Sequence, residues 1–162
     1  MKPIAISCGE PAGIGPEVAA KAWLALKDDV PMVWVGDPNH LPDDFPIQKI
    51  NAISEAKFSG SLPVIVNDFG ANALPSLPNP DHAQYVIETI ETCVHLAKQG
   101  DVSAICTAPI HKAALKDGAG FPFPGHTEFL AHLADNAEVV MMLACDELRV
   151  VPATIHIALR RT

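Results

Sequence analysis

Paired cysteines are missing from this 162-residue chain. Its four cysteines, Cys8, Cys93, Cys106 and Cys145, form no CxxC element, and three of them sit inside apolar runs. That argues against a zinc ribbon or a disulfide scaffold and suits thiols kept reduced as small hydrophobes. Basic residues are scarce as well. Eleven Lys and Arg face nineteen Asp and Glu, a formal charge of -8 that repels phosphate backbones and argues against a nucleic-acid partner. An anionic ligand must therefore meet a local positive site. No run of eighteen apolar residues occurs, since the longest stretch, Val139 to Cys145, is closed by Asp146 and Glu147, which argues against a membrane span. The amino terminus reaches Gly9 too early for the apolar core of an export signal, so a cytoplasmic protein is expected. Internal repeats and low-complexity tracts are absent too.

What is present points to a compact globule of one domain or two small ones. Apolar residues make up 49% of the chain and charged residues 19%, enough apolar surface to offset the entropy of ordering it. Pro3 to Ser7 reads as a strand, Cys8 to Pro16 as a glycine loop, and Glu17 to Leu26 as a helix with Pro16 in its first turn. Met32–Val35 and Leu62–Val66 read as buried strands, with Asn39 to Gly60 mostly irregular around Pro42 and Pro46. Three prolines make Gly70 to Pro80 a loop, capped by Asn79 or Asp81 before a helix over His82–Gln99. Val86, Ile90, Val94 and Ala97 form its apolar stripe and Gly100 its stop. Val102–Thr107 reads as a strand followed by a short helix through Leu115. A second loop begins at Gly118, a helix covers Thr127–Leu133, and strands at Val139–Cys145 and Val150–Ile157 make a hairpin. Strands alternating with helices predict an α/β fold with a largely parallel sheet.

Four places carry possible chemistry. Gly9, Gly13 and Gly15 occupy a strand-to-helix turn, where backbone amides and the helix dipole hold anions, so Gly13 and Gly15 are candidate cofactor-binding positions. The loop lacks the third glycine of the dinucleotide fingerprint and the Lys-Ser/Thr of a P-loop, and a tight turn explains it equally well. Of seven histidines, none makes a metal pair by local spacing; His126 and His132 are six apart and lie on different helix faces. His126 and Thr127 follow Pro124-Gly125 at a helix start, a place to hold a phosphate or hydroxy-acid, although a loop histidine beside a capping threonine fits the local pattern too. His156 alternates with Ile155 and Ile157 on a strand, which by itself suits a solvated histidine. Lys112, just past a strand's carboxyl end, is placed to meet an anion or simply to face solvent.

Taken together, Gly9-Glu10-Pro11-Ala12-Gly13-Ile14-Gly15-Pro16-Glu17, Thr107-Ala108-Pro109-Ile110-His111-Lys112, Phe121 to Leu130 with Gly125-His126-Thr127-Glu128, and Thr154-Ile155-His156 resemble the 4-hydroxythreonine-4-phosphate dehydrogenase family over essentially the whole chain. The resemblance implies a Rossmann-like layered sheet in an isopropylmalate-dehydrogenase-like two-domain architecture, here truncated. Residues 1–120 would form a first domain completed by a missing carboxyl-terminal segment, and residues 121–162 the start of a second. It implies oxidation by NAD or NADP and decarboxylation of a small phosphorylated hydroxy-amino acid, 4-phosphohydroxy-threonine, in vitamin B6 biosynthesis. A divalent metal (Zn, Mg or Co) would assist, in a homodimer. His126 and Thr127 would contact substrate and His156 would ligate the metal. Family members are about twice as long, with two further metal histidines beyond Thr162, so an inactive amino-terminal fragment is expected. The competing expectation is a non-catalytic phosphate- or metabolite-binding module of the same fold; a phosphate acyltransferase is disfavoured because nothing resembles a coenzyme A site.

Overall fold

The computed structural model describes residues 1–70, 72–154 and 160. They fall into two compact units, Met1–Pro124 and Gly125–Thr162.

The first unit is built on a five-stranded, wholly parallel sheet: β1 (Ile4–Ser7), β2 (Met32–Gly36), β3 (Ile47–Ile50), β4 (Leu62–Val66) and β5 (Ala104–Thr107), in the order β3-β4-β2-β1-β5. Helix α1 (Gly15–Leu26) links β1 to β2 and α2 (Ala83–Gln99) links β4 to β5. These crossovers run in opposite directions across the sheet, and right-handed connections therefore set the two helices on opposite faces. Alternation along the strands sorts the core accordingly. Ala5, Val33 and Val35 share a cluster with Cys93 and Leu96 of α2, while Ile6 and Trp34 point the other way.

The helix signals act as expected. Pro16 lies in the first turn of α1, with Ala19, Ala20 and Trp23 buried and Trp23 edge-on to Phe45 at 5.4 Å. In α2, Val86, Ile90, Cys93 and Val94 are buried, and Gly100 takes a left-handed φ of 73° to return its N–H to Leu96 and Ala97. Asn79 caps a single 3-10 turn, Pro80–His82, ahead of that helix by accepting the Asp81 N–H at 3.0 Å.

Three readings of the sequence change. The segment taken as irregular contains β3, an edge strand paired with β4 from Ile47↔Leu62 to Ile50↔Ile65. Four residues between Pro46 and Asn51 carry little local signal, and only the neighbouring strand makes them a strand. Gly118 opens no loop; it belongs to α3 (Lys112–Ala119), which ends at Gly120 with φ 62°. In the second unit the hairpin shrinks to β6 (Leu143–Ala144) and β7 (Arg149–Val150), antiparallel, after α4 (His126–Leu133). Val139 to Met142 are apolar enough for a strand, but among the described residues they have no neighbour to pair with. Residues 155–157 of the second expected strand lie outside the described residues. β5 is exposed or half-buried along its length, an open flank of a parallel sheet whose strands are ordinarily covered on both faces. Among the described residues, no helix is long and apolar enough to cross a membrane.

Candidate functional site

In a doubly wound sheet, ligands gather beyond the carboxyl ends of the strands where connections leave in opposite directions. Here that point lies between β1 and β5. The loops after these strands are fastened together: the Glu10 N–H donates to Pro109 O at 2.8 Å and the Ala108 N–H to Ser7 O at 3.3 Å. Gly9 is required by this approach. It has φ 67°, and a Cβ there would stand 2.8 Å from the Ala108 carbonyl carbon. A Cβ on Gly15 would meet Cys8 O at 2.6 Å, so this glycine lets α1 pack down on the end of β1.

Two amides of the glycine loop are occupied by the loop itself. Gly13 N–H donates to Glu10 O at 3.0 Å and Ala12 N–H to Glu10 Oε1 at 3.0 Å, while Pro16 has no N–H to offer. Glu10 is only 6% exposed. Glu17 stands in the first turn of α1, paired with Lys21, whose hydrogen bond and charge hold the Glu17 carboxyl below its usual range. The pyrophosphate of a dinucleotide is thus poorly served by this loop. Asp37, at the end of β2, is where many dinucleotide-binding sheets place an acidic residue for a ribose. Buried, it accepts the Asn39 N–H at 2.9 Å on one oxygen and the Phe69 N–H at 3.1 Å on the other, tying the ends of β2 and β4.

A cavity of about 460 Å³ opens beside the loop, lined by Glu10, Gly13, Glu17, Ser76 and His111 among others. The pattern alone singled out the neighbouring Lys112 rather than His111. His111 caps α3: its Nδ1 accepts the Ala114 N–H at 3.1 Å, which leaves the ring proton on Nε2. Ser76, at φ 65°, is anchored by its N–H on Ala12 O at 2.8 Å. Glu10 could have been found from the sequence only by asking which acidic residue lies inside a tight turn.

In the second unit, His126 and Thr127 are the first two residues of α4, with Gly125 at the cap position and no side-chain cap. Thr127 is therefore inside the helix and is not its cap. His156 lies outside the described residues. Among the described residues no group of three His, Cys, Asp or Glu side chains converges to hold a metal, so they do not form that centre by themselves.

The buried cysteines are inert by the same geometry. Burial pushes the Cys8 and Cys93 thiols up to about 12, against only a partial opposing effect at Cys8 from its Thr89 contact at 3.4 Å. Native protein at pH 8 is expected to lose Cys106 and Cys145, both exposed, to iodoacetamide while Cys8 and Cys93 stay unmodified. Peptide mass mapping that finds Cys8 labelled as fast as Cys106 refutes this.

Comparison with known proteins decides the family. Residues 27–162 match the model of the pyridoxal phosphate biosynthetic protein PdxA. The chain belongs to the PdxA family. Its relatives include 4-hydroxythreonine-4-phosphate dehydrogenase of Roseobacter denitrificans, 55% identical over 161 residues, a match covering 97% of this chain and 49% of the relative. The enzyme of that name from Ruegeria is 55% identical over 158 residues, covering 96% and 48%. The crystal structure of a 4-hydroxythreonine-4-phosphate dehydrogenase from Burkholderia phymatum superposes with a TM-score of 0.88 at 32% identity, covering 99% of this chain and 52% of that one. That from Klebsiella pneumoniae gives 0.87 at 35%. This PdxA chain thus spans about half the length of the relatives it matches.

Proposed function

We propose that this PdxA chain is the amino-terminal half of an NAD- or NADP-dependent, metal-requiring dehydrogenase that oxidises and decarboxylates 4-phosphohydroxy-threonine in vitamin B6 biosynthesis. The observation that carries the reading is the 55% identity to a dehydrogenase of that name along nearly the whole chain. The isopropylmalate-dehydrogenase-like arrangement, with domains dividing near residue 120, belongs to the same proposal; the separation of compact units after Pro124 supports it. A cytoplasmic location and a homodimer belong to the same proposal, the homodimer supported by the exposed apolar side chains of Val140, Leu143 and Leu148 in the second unit.

In this reading His126 and Thr127 bind substrate. The first turn of α4 presents the positive end of the helix dipole, which favours an anionic group, and the Thr127 hydroxyl supplies a donor beside it. His156 is proposed as one metal ligand, with the remaining ligands supplied from beyond this chain. A bound divalent cation would stabilise negative charge developing on the substrate oxygen.

Replacing both His126 and Thr127 by Ala in the full-length enzyme is expected to weaken substrate binding about a hundredfold, the size of two hydrogen bonds to a charged group. Metal content per subunit should stay unchanged. The test is calorimetric substrate titration beside elemental analysis; a fall in metal content, or unchanged affinity, would reject the assignment. The 162-residue chain alone should reduce no NAD with this substrate.

A further inference from the structure

We propose that the cavity beyond the carboxyl ends of β1 and β5 takes a cationic group carrying hydrogen-bond donors and turns phosphate away, with Glu10 as the residue that sets this selectivity. Glu10 is 6% exposed, and its Oε1 is held by the Ala12 N–H. Its second oxygen has no hydrogen-bond or ion-pair partner among the described residues, and the side chain borders the cavity. A carboxylate so confined draws in a cation that can donate to it, because a charge-assisted hydrogen bond in a sheltered site is about twice as strong as a neutral one.

The remaining lining agrees. Lys21 is already paired with Glu17, so it supplies no free positive charge for a phosphate. The Gly13 amide is spent on Glu10 O. His111, with Nδ1 accepting from Ala114, presents an Nε2–H suited to a carbonyl or hydroxyl oxygen on the same ligand. The site therefore fits a group that combines positive charge, N–H or O–H donors and one acceptor. The proposal rests on the functional reading above for the two molecules that would bring such a group: the ammonium end of a hydroxy-amino acid and the oxidised nicotinamide ring of the cofactor.

The test follows amide NMR signals of the chain during titration with L-threoninamide, with 1-methylnicotinamide and with inorganic phosphate. One of the two cations is expected to shift the amides of Gly13, Ser76 and His111, and which one does so identifies the source; phosphate is expected to leave them in place. Glu10→Gln keeps an acceptor for the Ala12 N–H but removes the charge, and should weaken the cation about tenfold. Adding 0.5 M NaCl to the unmodified chain should weaken it several-fold through screening, an arm that decides the matter if the variant does not fold. Shifts with phosphate, no shifts with either cation, an unchanged affinity in Glu10→Gln or insensitivity to salt would each overturn the proposal. No turnover is read, so a cation bound here in an enzyme that oxidises another substrate would sink the functional reading alone.

Discussion

Gly118→Ala is expected to destabilise the chain by about 3 kcal/mol, the upper end of the usual cost of overpacking, and to lower its Tm by roughly 10 °C. The cause is a backbone contact. A Cβ at 118 would overlap the Pro80 carbonyl, standing 2.6 Å from its carbon and 2.8 Å from the Ala83 Cβ. Neither is the yielding end of a long side chain, so α3 must retreat from the turn that starts α2. That retreat uncovers Leu115, which is fully buried, and Ala114, at 5% exposure. Alanine's better helix propensity returns only about 1 kcal/mol. Gly120→Ala is the control: its φ is 62° but nothing lies within 4 Å, so the left-handed conformation costs about 1 kcal/mol. Urea unfolding of the two variants is the measurement, and a Gly118→Ala chain within 0.5 kcal/mol of the original would refute the close approach.

His156→Ala in the full-length enzyme is expected to lower turnover a hundredfold or more and to reduce bound metal per subunit. On the proposed role, the substitution removes one of about three protein ligands and opens the coordination sphere, and even a partner outside that sphere is worth about 10- to 100-fold. The signature separates it from the His126/Thr127 double variant, in which substrate affinity falls while metal is retained. Steady-state rates across added metal concentrations, with elemental analysis, make the comparison. Undiminished turnover with full metal occupancy would remove His156 from the metal site.

Much of the fold was legible because its signals are local. The Pro16 start of α1, the four-residue spacing of Val86, Ile90 and Val94, and the Gly100 stop each act within one or two helical turns. The motifs Gly9 to Glu17 and Gly125 to Glu128 carried the family, but their local pattern left His126 and Thr127 open between a binding corner and an ordinary helix start.

The sequence by itself determined the α/β class, the parallel sheet and the positions of α1, α2 and α4, since these follow from periodicity and from what Gly and Pro permit. Tertiary structure decided the rest. Ile47–Ile50 is a strand because β4 lies beside it. Gly118 sits inside α3 as a glycine because Pro80 leaves no room there for a side chain. Asp37 ties the end of β2 to the loop after β4 because the Phe69 amide, 32 residues away, reaches it. Glu10 borders a cavity because Pro109 holds its backbone against the end of β5. In each case the deciding partner is far along the chain, and strand pairing, close backbone contact and burial depend on neighbours in space that no local spacing encodes.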